Sequence, residues 1–106
     1  MNEQNALTEA TYYILLSLVE PRHGYGIIKQ AEELSHGRVR LAAGTLYGAL
    51  NTMCEKRWIE PLPAEEDSRR KDYRLTDEGM SVLQGELNRL RELVIGGEAV
   101  LGGEKK

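Results

Sequence analysis

The chain has 106 residues, of which 41% are hydrophobic and 29% charged, and its net charge is −3 at pH 7. This length corresponds to one domain with a modest core, whose stability an oligomer would increase. The apolar stretch at positions 14–19 is far shorter than the roughly 18 residues of a membrane span and follows an acidic start, so we expect neither a membrane segment nor a signal peptide. Because Cys54 is the single cysteine, no internal disulfide can form, and a cytoplasmic location is expected.

Basic residues are concentrated in the middle of the chain. Residues 36–75 hold eight basic and six acidic side chains, whereas the segments on either side are acidic. A phosphate backbone responds to local potential rather than to the net charge of a whole protein. The overall acidity therefore does not exclude a nucleic-acid partner.

Two helices are predicted in the first third of the chain. The first covers residues 8–20, with Thr8 as its N-cap, and apolar side chains almost encircle it, which indicates contacts with both the core and a partner subunit. The second covers residues 25–35 and carries its apolar residues in one stripe. Gly37 is expected to end it in a left-handed conformation, and the alternation of charged and apolar residues over 38–41 predicts a short strand.

The third predicted helix, residues 43–56, has an unusual outer face. Its apolar side chains lie on one side, and Gly44, Gly48 and Asn51 lie on the other. Each glycine inside a helix costs roughly 1 kcal/mol relative to alanine, so a compensating role is expected. A helix face without side chains can approach another surface closely, and a DNA groove is one such surface.

A β-hairpin and a long helix follow. Residues 58–60 and 72–75 are predicted as two strands, joined by a polar tip that contains proline. Thr76 is expected to cap the fourth helix, along which apolar residues recur at alternating spacings of three and four. This pattern is the seam of a helix pair, and the double glycine at 96–97 is expected to end the helix and leave a frayed tail. The seam consists of Met80, Leu83, Leu87, Leu90 and Val94.

Three motifs occur in a specific order and spacing. They are HGYGI at positions 23–27, GTLYGAL at 44–50 and RRKDYRLTDEG at 69–79. With these motifs the chain resembles the PadR-like family of transcriptional regulators in its short form, from Thr8 to about Val94. The resemblance implies a mainly α winged helix-turn-helix with a small β-hairpin and an additional C-terminal dimerisation helix. It further implies a homodimer that represses transcription from an inverted-repeat operator and, in many members, releases DNA on binding a small aromatic effector.

On this interpretation the chain has three parts. Residues 1–75 would form the DNA-binding domain, with the helix at 8–20 also in the dimer interface, 76–95 would form the dimerisation helix, and 96–106 a flexible tail. Two departures from the family pattern stand out. Arg57 follows the third helix where glycine is common, and the fourth helix has no aromatic residue with which to hold a planar, drug-like molecule.

Nine residues are candidates for DNA contact. Asn51 can form a bidentate bond to adenine, and the hydroxyls of Thr45 and Tyr47 suit phosphate oxygens at a helix N-terminus. The alternative is that Tyr47 packs on the second helix and that Asn51 is only solvated. The basic residues of the wing would contact phosphate, although a charged hairpin can equally be a solvated edge. Lys29, Arg38 and Arg40 are weaker candidates for contact with the DNA backbone. The full set is Lys29, Gly44, Thr45, Tyr47, Gly48, Asn51, Arg69, Arg70 and Lys71.

The dimer interface is expected to combine the first and last helices. Its candidates are Tyr13, Leu16, Leu83, Leu87, Leu90 and Val94. The apolar seam of the last helix could instead pack within the chain, but a compact three-helix core leaves little to cover its outer turns. The aromatic residues Tyr12, Tyr25, Trp58 and Tyr73 are expected in the core rather than in an effector site.

The sequence contains no catalytic or metal-binding pattern. His23, His36 and Cys54 are scattered and lack a second ligand at metal-binding spacing, and no nucleophile elbow or phosphate-binding glycine loop occurs. We therefore expect neither an enzyme nor a cofactor. Two functions remain open: a DNA-binding regulator, and a winged helix that docks a partner protein through its glycine-bearing helix face and hairpin without binding DNA. The sequence pI of about 5.4 favours the second.

Overall fold

The computed structural model describes residues 6–63 and 71–102. Three helices precede a hairpin and a long fourth helix, and the strands form one antiparallel sheet in the order β1-β3-β2. This arrangement confirms the predicted mainly α fold with a small β-hairpin. In the described part of the chain, no helix is long and apolar enough to cross a membrane. The elements are α1 (Glu9–Ser17), β1 (Arg22–His23), α2 (Gly24–Leu34), α3 (Ala43–Glu55), β2 (Ile59–Pro61), β3 (Asp72–Leu75), α4 (Asp77–Gly97) and a π-helix (Glu98–Gly102).

Two threonines begin helices as predicted. The Thr8 Oγ1 accepts a hydrogen bond from the Thr11 amide at 3.0 Å, and the Thr76 Oγ1 accepts one from the Gly79 amide at 2.9 Å. Each bond satisfies an amide that the helix itself leaves unpaired. The predicted end of the first helix at position 20 was wrong: α1 ends at Ser17, because the following amides turn to carbonyls only three residues back.

The core fixes which face of α3 is outward. It draws on all four helices and on β2 and β3, and each fully buried apolar side chain contributes on the order of 1.5–3 kcal/mol. Because the inward stripe of α3 is buried here, its opposite face is held towards solvent. The core residues are Ile14, Leu15, Leu18, Ile27, Leu46, Leu50, Met53, Ile59, Tyr73 and Leu83.

The third strand of the sheet is not the one that the sequence predicts. Residues 38–41 form no strand, because Ser35 at the end of α2 holds this backbone: its carbonyl accepts from the Arg38 amide at 3.1 Å and its Oγ from the Val39 amide at 2.9 Å. The alternation there reflects only that Val39 is buried. The strand is instead β1, which pairs Arg22 with Tyr73 of β3.

The α-helix α4 ends at Gly97, in the double glycine as predicted, but the helical backbone does not stop there. The chain continues directly as the π-helix instead of a frayed tail, and Glu98, the first residue of the π-helix, keeps helical dihedral angles (φ −69°, ψ −32°). Glycine permits a left-handed conformation but does not impose one. Among the described residues, positive φ occurs at Gly37, as predicted, and also at His36 and Arg57.

The start of α4 is fixed against the backbone that leaves α3. The Thr76 Oγ1 donates to the Arg57 carbonyl at 2.6 Å, and the Thr76 amide donates to the Trp58 carbonyl at 3.0 Å. A Cβ added at Gly79 would overlap the Trp58 carbonyl oxygen, so the first turn of α4 lies directly on this backbone. We call these four residues the α3–α4 junction: Arg57, Trp58, Thr76 and Gly79.

Gly79→Ala tests this close contact. Overpacking costs about 1–3 kcal/mol, and here the obstacle is backbone, which cannot move aside cheaply. We expect the free energy of unfolding, from urea denaturation at fixed protein concentration, to fall by about that amount. Gly96→Ala is the control: an added Cβ there meets no atom within 4 Å, so stability should rise by up to about 1 kcal/mol. Equal stability of the two variants would contradict the contact.

Arg57→Gly should make the protein more stable. Arg57 has φ 65°, a left-handed conformation that costs a residue with a Cβ roughly 1–2 kcal/mol. The greater freedom of glycine in the unfolded chain offsets part of this, so we expect a net gain of about 0.5–1 kcal/mol in thermal or urea unfolding. The neighbour Lys56 has φ −81°, and Lys56→Gly should therefore lose stability. A loss in both variants would show that Arg57 is not strained.

Candidate nucleic-acid interface

The predicted DNA-contacting residues of α3 share its outward face. Leu46, Leu50 and Met53 are buried beneath the helix. The outward side carries the five candidate residues of this helix, all of them exposed, together with Thr52. The five candidates are Gly44, Thr45, Tyr47, Gly48 and Asn51.

The two glycines of α3 leave part of this surface bare. We call Gly44 and Gly48 the glycine face. A Cβ added at either position would meet no atom within 4 Å in the described chain, so intramolecular packing does not require glycine there. The backbone does not require it either, because Gly37 is the described glycine with positive φ. Neither packing among the described residues nor backbone conformation therefore accounts for glycine at these two positions.

Tyr47 lies at the edge of the glycine face. Its ring covers Gly24 at the start of α2, yet 47% of the residue is exposed. The packing on α2 that the sequence offered as the alternative is therefore observed, and DNA contact by the exposed part of the side chain stays a prediction. Burial raises the pKa of Tyr73 in the adjacent sheet, and Cys54 and Tyr47 raise it further.

The wing is described only at its base. Arg69 and Arg70 lie outside the described residues, and Lys71, just before β3, is exposed. Burial raises the pKa of the Cys54 thiol, and the positive charge of Lys71 acts in the opposite direction. This electrostatic interaction places the Lys71 charge near the C-terminal half of α3.

Much of the positive charge in the middle segment is compensated by ion pairs. Arg38 pairs with Glu9 at 2.9 Å, Arg40 with Glu32 at 3.6 Å, and Arg74 with Glu60 at 2.8 Å. Exposed pairs of this kind add little stability, but they reduce the free charge available to a phosphate backbone. The shape of α3 is therefore stronger evidence for its partner than the charge of the segment.

The region around the start of α2 contains an exposed aromatic residue that the sequence analysis placed in the core. Tyr25 is 64% exposed, because the buried stripe of α2 runs through Ile27 and Ala31 on another side of the helix. The Lys29 Nζ, a predicted DNA contact, lies 5.7 Å from the centre of the Tyr25 ring.

Two other aromatic residues were also expected in the core. Trp58 is half-buried beneath Lys56. Tyr73 is buried as predicted.

The candidate dimer residues divide into covered and uncovered ones. Leu83 is 5% exposed and belongs to the core of its own chain. Tyr13, Leu16 and Leu90 are half-buried, and Leu87 and Val94 are exposed. All residues from Arg91 to the end of the π-helix are exposed, including five large apolar side chains. They are Leu93, Val94, Ile95, Val100 and Leu101.

A buried acid on α4 was missed in the sequence. Glu86 is 1% exposed, and its carboxylate accepts hydrogen bonds from Arg89 Nη2 at 2.7 Å and Nε at 2.9 Å and from the Leu7 amide at 3.4 Å. The hydrogen bond to Glu86 is the main cause of the raised pKa of Arg89. The contact joins α4 to the segment before α1. The Glu–Arg pair three residues apart was the available signal, but such pairs usually lie in solvent.

Comparison with known proteins establishes the family. Residues 14–85 match the sequence profile of the transcriptional regulator PadR-like family. The chain belongs to this family. The described residues contain no group of three or more His, Cys, Asp or Glu side chains that could hold a metal ion.

Solved structures of PadR-family regulators have the same fold. A regulator from Clostridium difficile is 30% identical, with 86% of this chain and 97% of that chain covered and a TM-score of 0.71. One from Eggerthella lenta is 27% identical, with coverages of 91% and 82% and a TM-score of 0.69. These similarities confirm the PadR-like winged helix and support a DNA-binding regulator.

A curated relative is much longer than this chain. It is an uncharacterised 37.1 kDa protein in a transposon of Streptomyces fradiae, 35% identical over 86 residues. The match covers 80% of this chain but only 24% of that protein, so the chain spans about a quarter of its length.

Proposed function

We propose that this PadR-like protein represses transcription in the cytoplasm as a homodimer, by placing its two α3 helices in successive major grooves of an inverted-repeat operator. The open glycine face is the observation that carries this proposal. B-DNA's major groove is about 12 Å wide and admits an α-helix. A helix whose outer surface lacks two Cβ atoms can bring its backbone closer to the base edges than an ordinary helix can.

The polar residues beside the glycine face would supply the contacts. Asn51 would read adenine by a bidentate hydrogen bond, and Thr45 and Tyr47 would bind phosphate oxygens. Lys29 and Lys71 are exposed and would add phosphate contacts from α2 and from the base of the wing, together with Arg69 and Arg70. Release of counterions by these cations makes affinity fall steeply with salt.

Alanine at Gly44 or Gly48 should change stability and DNA affinity in opposite directions. Each variant should raise the free energy of unfolding by about 0.5–1 kcal/mol, because the added methyl group enters open space in a helix. Against DNA the same group would overpack the interface by about 1–3 kcal/mol. The dissociation constant, measured by fluorescence anisotropy, should then rise about five- to hundredfold.

Gly96→Ala provides the matched control, because it also adds a methyl group in open space, but on α4. Its DNA affinity should stay within about twofold of wild type. If Gly44→Ala and Gly48→Ala stabilise the helix without weakening DNA binding, the glycine face does not meet DNA.

The homodimer is proposed from the uncovered apolar face of α4. Contiguous exposed apolar side chains of this size mark an interaction surface. The seam of Leu87, Leu90 and Val94 continues at the same spacing through Gly97 to Leu101, which is 80% exposed. A helix from a second copy would present an identical seam, as antiparallel or symmetric helix pairs require.

Leu87→Lys tests the dimer. Leu87 is 38% exposed and lies at the centre of the seam, where a charge would be buried without a partner. Sedimentation velocity should show a species near the 11.9 kDa chain mass instead of twice that mass. Asn88→Lys adds the same charge at the adjacent exposed position outside the seam and should remain dimeric. A dimeric Leu87→Lys variant would rule out this interface.

The α4 surface also bears on the effector. A depression of 340 Å³ on this helix is lined by Leu87, Leu90, Arg91, Val94 and Ile95. It offers no aromatic ring to stack on a planar molecule. We therefore propose that the partner subunit's side chains occupy it, and that an effector, if one acts on this protein, works through its preference for one dimer geometry.

A binding titration separates the regulator from the protein-docking alternative. Wild-type protein would first select duplexes from a random pool, and the enriched sequence would be titrated at two salt concentrations. The proposal predicts an inverted repeat and an affinity that falls steeply with salt. Binding that is absent even at low ionic strength would favour a module that docks a protein. Within the regulator reading, Asn51→Ala should relax sequence preference at one base position.

A further inference from the structure

The Tyr47 ring lies directly against Gly24. An added Cβ at this first residue of α2 would overlap the Tyr47 hydroxyl oxygen and would lie 2.8 Å from its Cζ and 3.4 Å from its Cε1. The three nearest atoms thus belong to one tyrosine on another helix. Gly24 is not among the described residues with positive φ. Glycine is therefore needed there because of the ring and not because of the backbone.

The ring that rests on Gly24 is directed away from the glycine face. Side chains of a helix point towards its N-terminus and cover the turn before their own Cα, and for Tyr47 that turn contains Gly44. No atom lies within 4 Å of the place where a Gly44 Cβ would be, so the ring does not cover it. Tyr47 is also absent from the core, which leaves the contact with α2 as the constraint on its position.

We propose that Gly24 is a positioning residue for DNA binding. Because Gly24 has no Cβ, the hydroxyl end of Tyr47 can pack against it, and this contact holds the ring across the gap between α2 and α3. The contact has two consequences: the ring keeps a fixed position beside the glycine face, and it does not cover that face. This inference rests on the proposed DNA-binding role of α3.

If Gly24 positions the Tyr47 ring, Gly24→Ala should lower DNA affinity and leave the stability of the fold almost unchanged. The overlapping atoms are the free end of a half-exposed ring, which can rotate about two side-chain torsions, so the urea midpoint should stay close to that of wild type. The displaced ring would lose its phosphate contact and cover part of the glycine face. We expect affinity for the selected duplex to fall by at least about fivefold, equivalent to about 1 kcal/mol.

A double-mutant cycle identifies the cause of this loss. The affinities of wild type, Gly24→Ala, Tyr47→Ala and the double variant are measured by anisotropy on one duplex selected by the wild-type protein. If Gly24 acts through Tyr47, adding Gly24→Ala to Tyr47→Ala should change affinity by less than about twofold. Gly26→Ala is the control on the same helix, because its added Cβ would meet neighbours at ordinary distances of 3.6–3.7 Å. It should bind like wild type.

Three results would overturn the inference. In the first, Gly24→Ala binds DNA like wild type while Tyr47→Ala binds weakly. In the second, Gly24→Ala lowers DNA affinity by the same factor in the wild-type protein and in the Tyr47→Ala variant. In the third, Gly24→Ala unfolds, which displacement of a flexible ring does not explain. Each of these leaves the DNA-binding proposal standing. Wild-type protein that shows no salt-sensitive binding would defeat the DNA-binding proposal itself, and this inference with it.

Discussion

The contact between the first turn of α4 and the backbone leaving α3 fixes the position of α4 relative to α3. Thr76 ties the start of α4 to the carbonyls of Arg57 and Trp58, and Gly79 allows the helix to lie directly on that backbone. The α3–α4 junction therefore fixes the angle between the helix proposed to enter DNA and the helix proposed to join two subunits. In a symmetric dimer, this angle sets the separation of the two α3 helices, and so the spacing of half-sites that the protein can bind.

The two glycines on the outer surface of α3 lower the stability of this helix. Two helical glycines, each roughly 1 kcal/mol less favourable than alanine, stand where neither packing within residues 6–63 and 71–102 nor backbone conformation requires them. Natural proteins retain such local costs mainly at functional sites. Gly24 and Gly79 have a different reason, since each lies under another part of the chain. The four glycines are thus explained by contacts of three kinds: with a ring, with backbone, and, as proposed, with DNA.

Local patterns in the sequence were enough to predict the helices, the hairpin and the threonine caps, because these depend on side-chain periodicity and on hydrogen bonds within one turn. The strand β1 could not be predicted, since it has two residues and its partner Tyr73 lies about 50 positions away. The π-helix that follows Gly97 was missed because glycine is compatible with both a helix and a break. The contact of Tyr47 with Gly24 and the burial of Glu86 depend on packing between distant segments, which the local pattern around either residue does not determine.

In the proposed dimer, the α3–α4 junction and the α4 seam hold two α3 helices about one turn of DNA apart. A spin label at Glu55, exposed at the end of α3, reports this separation when the native Cys54 is replaced by serine. Electron–electron double resonance should give one narrow intermolecular distance near the roughly 34 Å of a DNA turn, with little change when the operator is added. A broad distribution, or the absence of any intermolecular distance at concentrations where the protein binds DNA, would contradict the account.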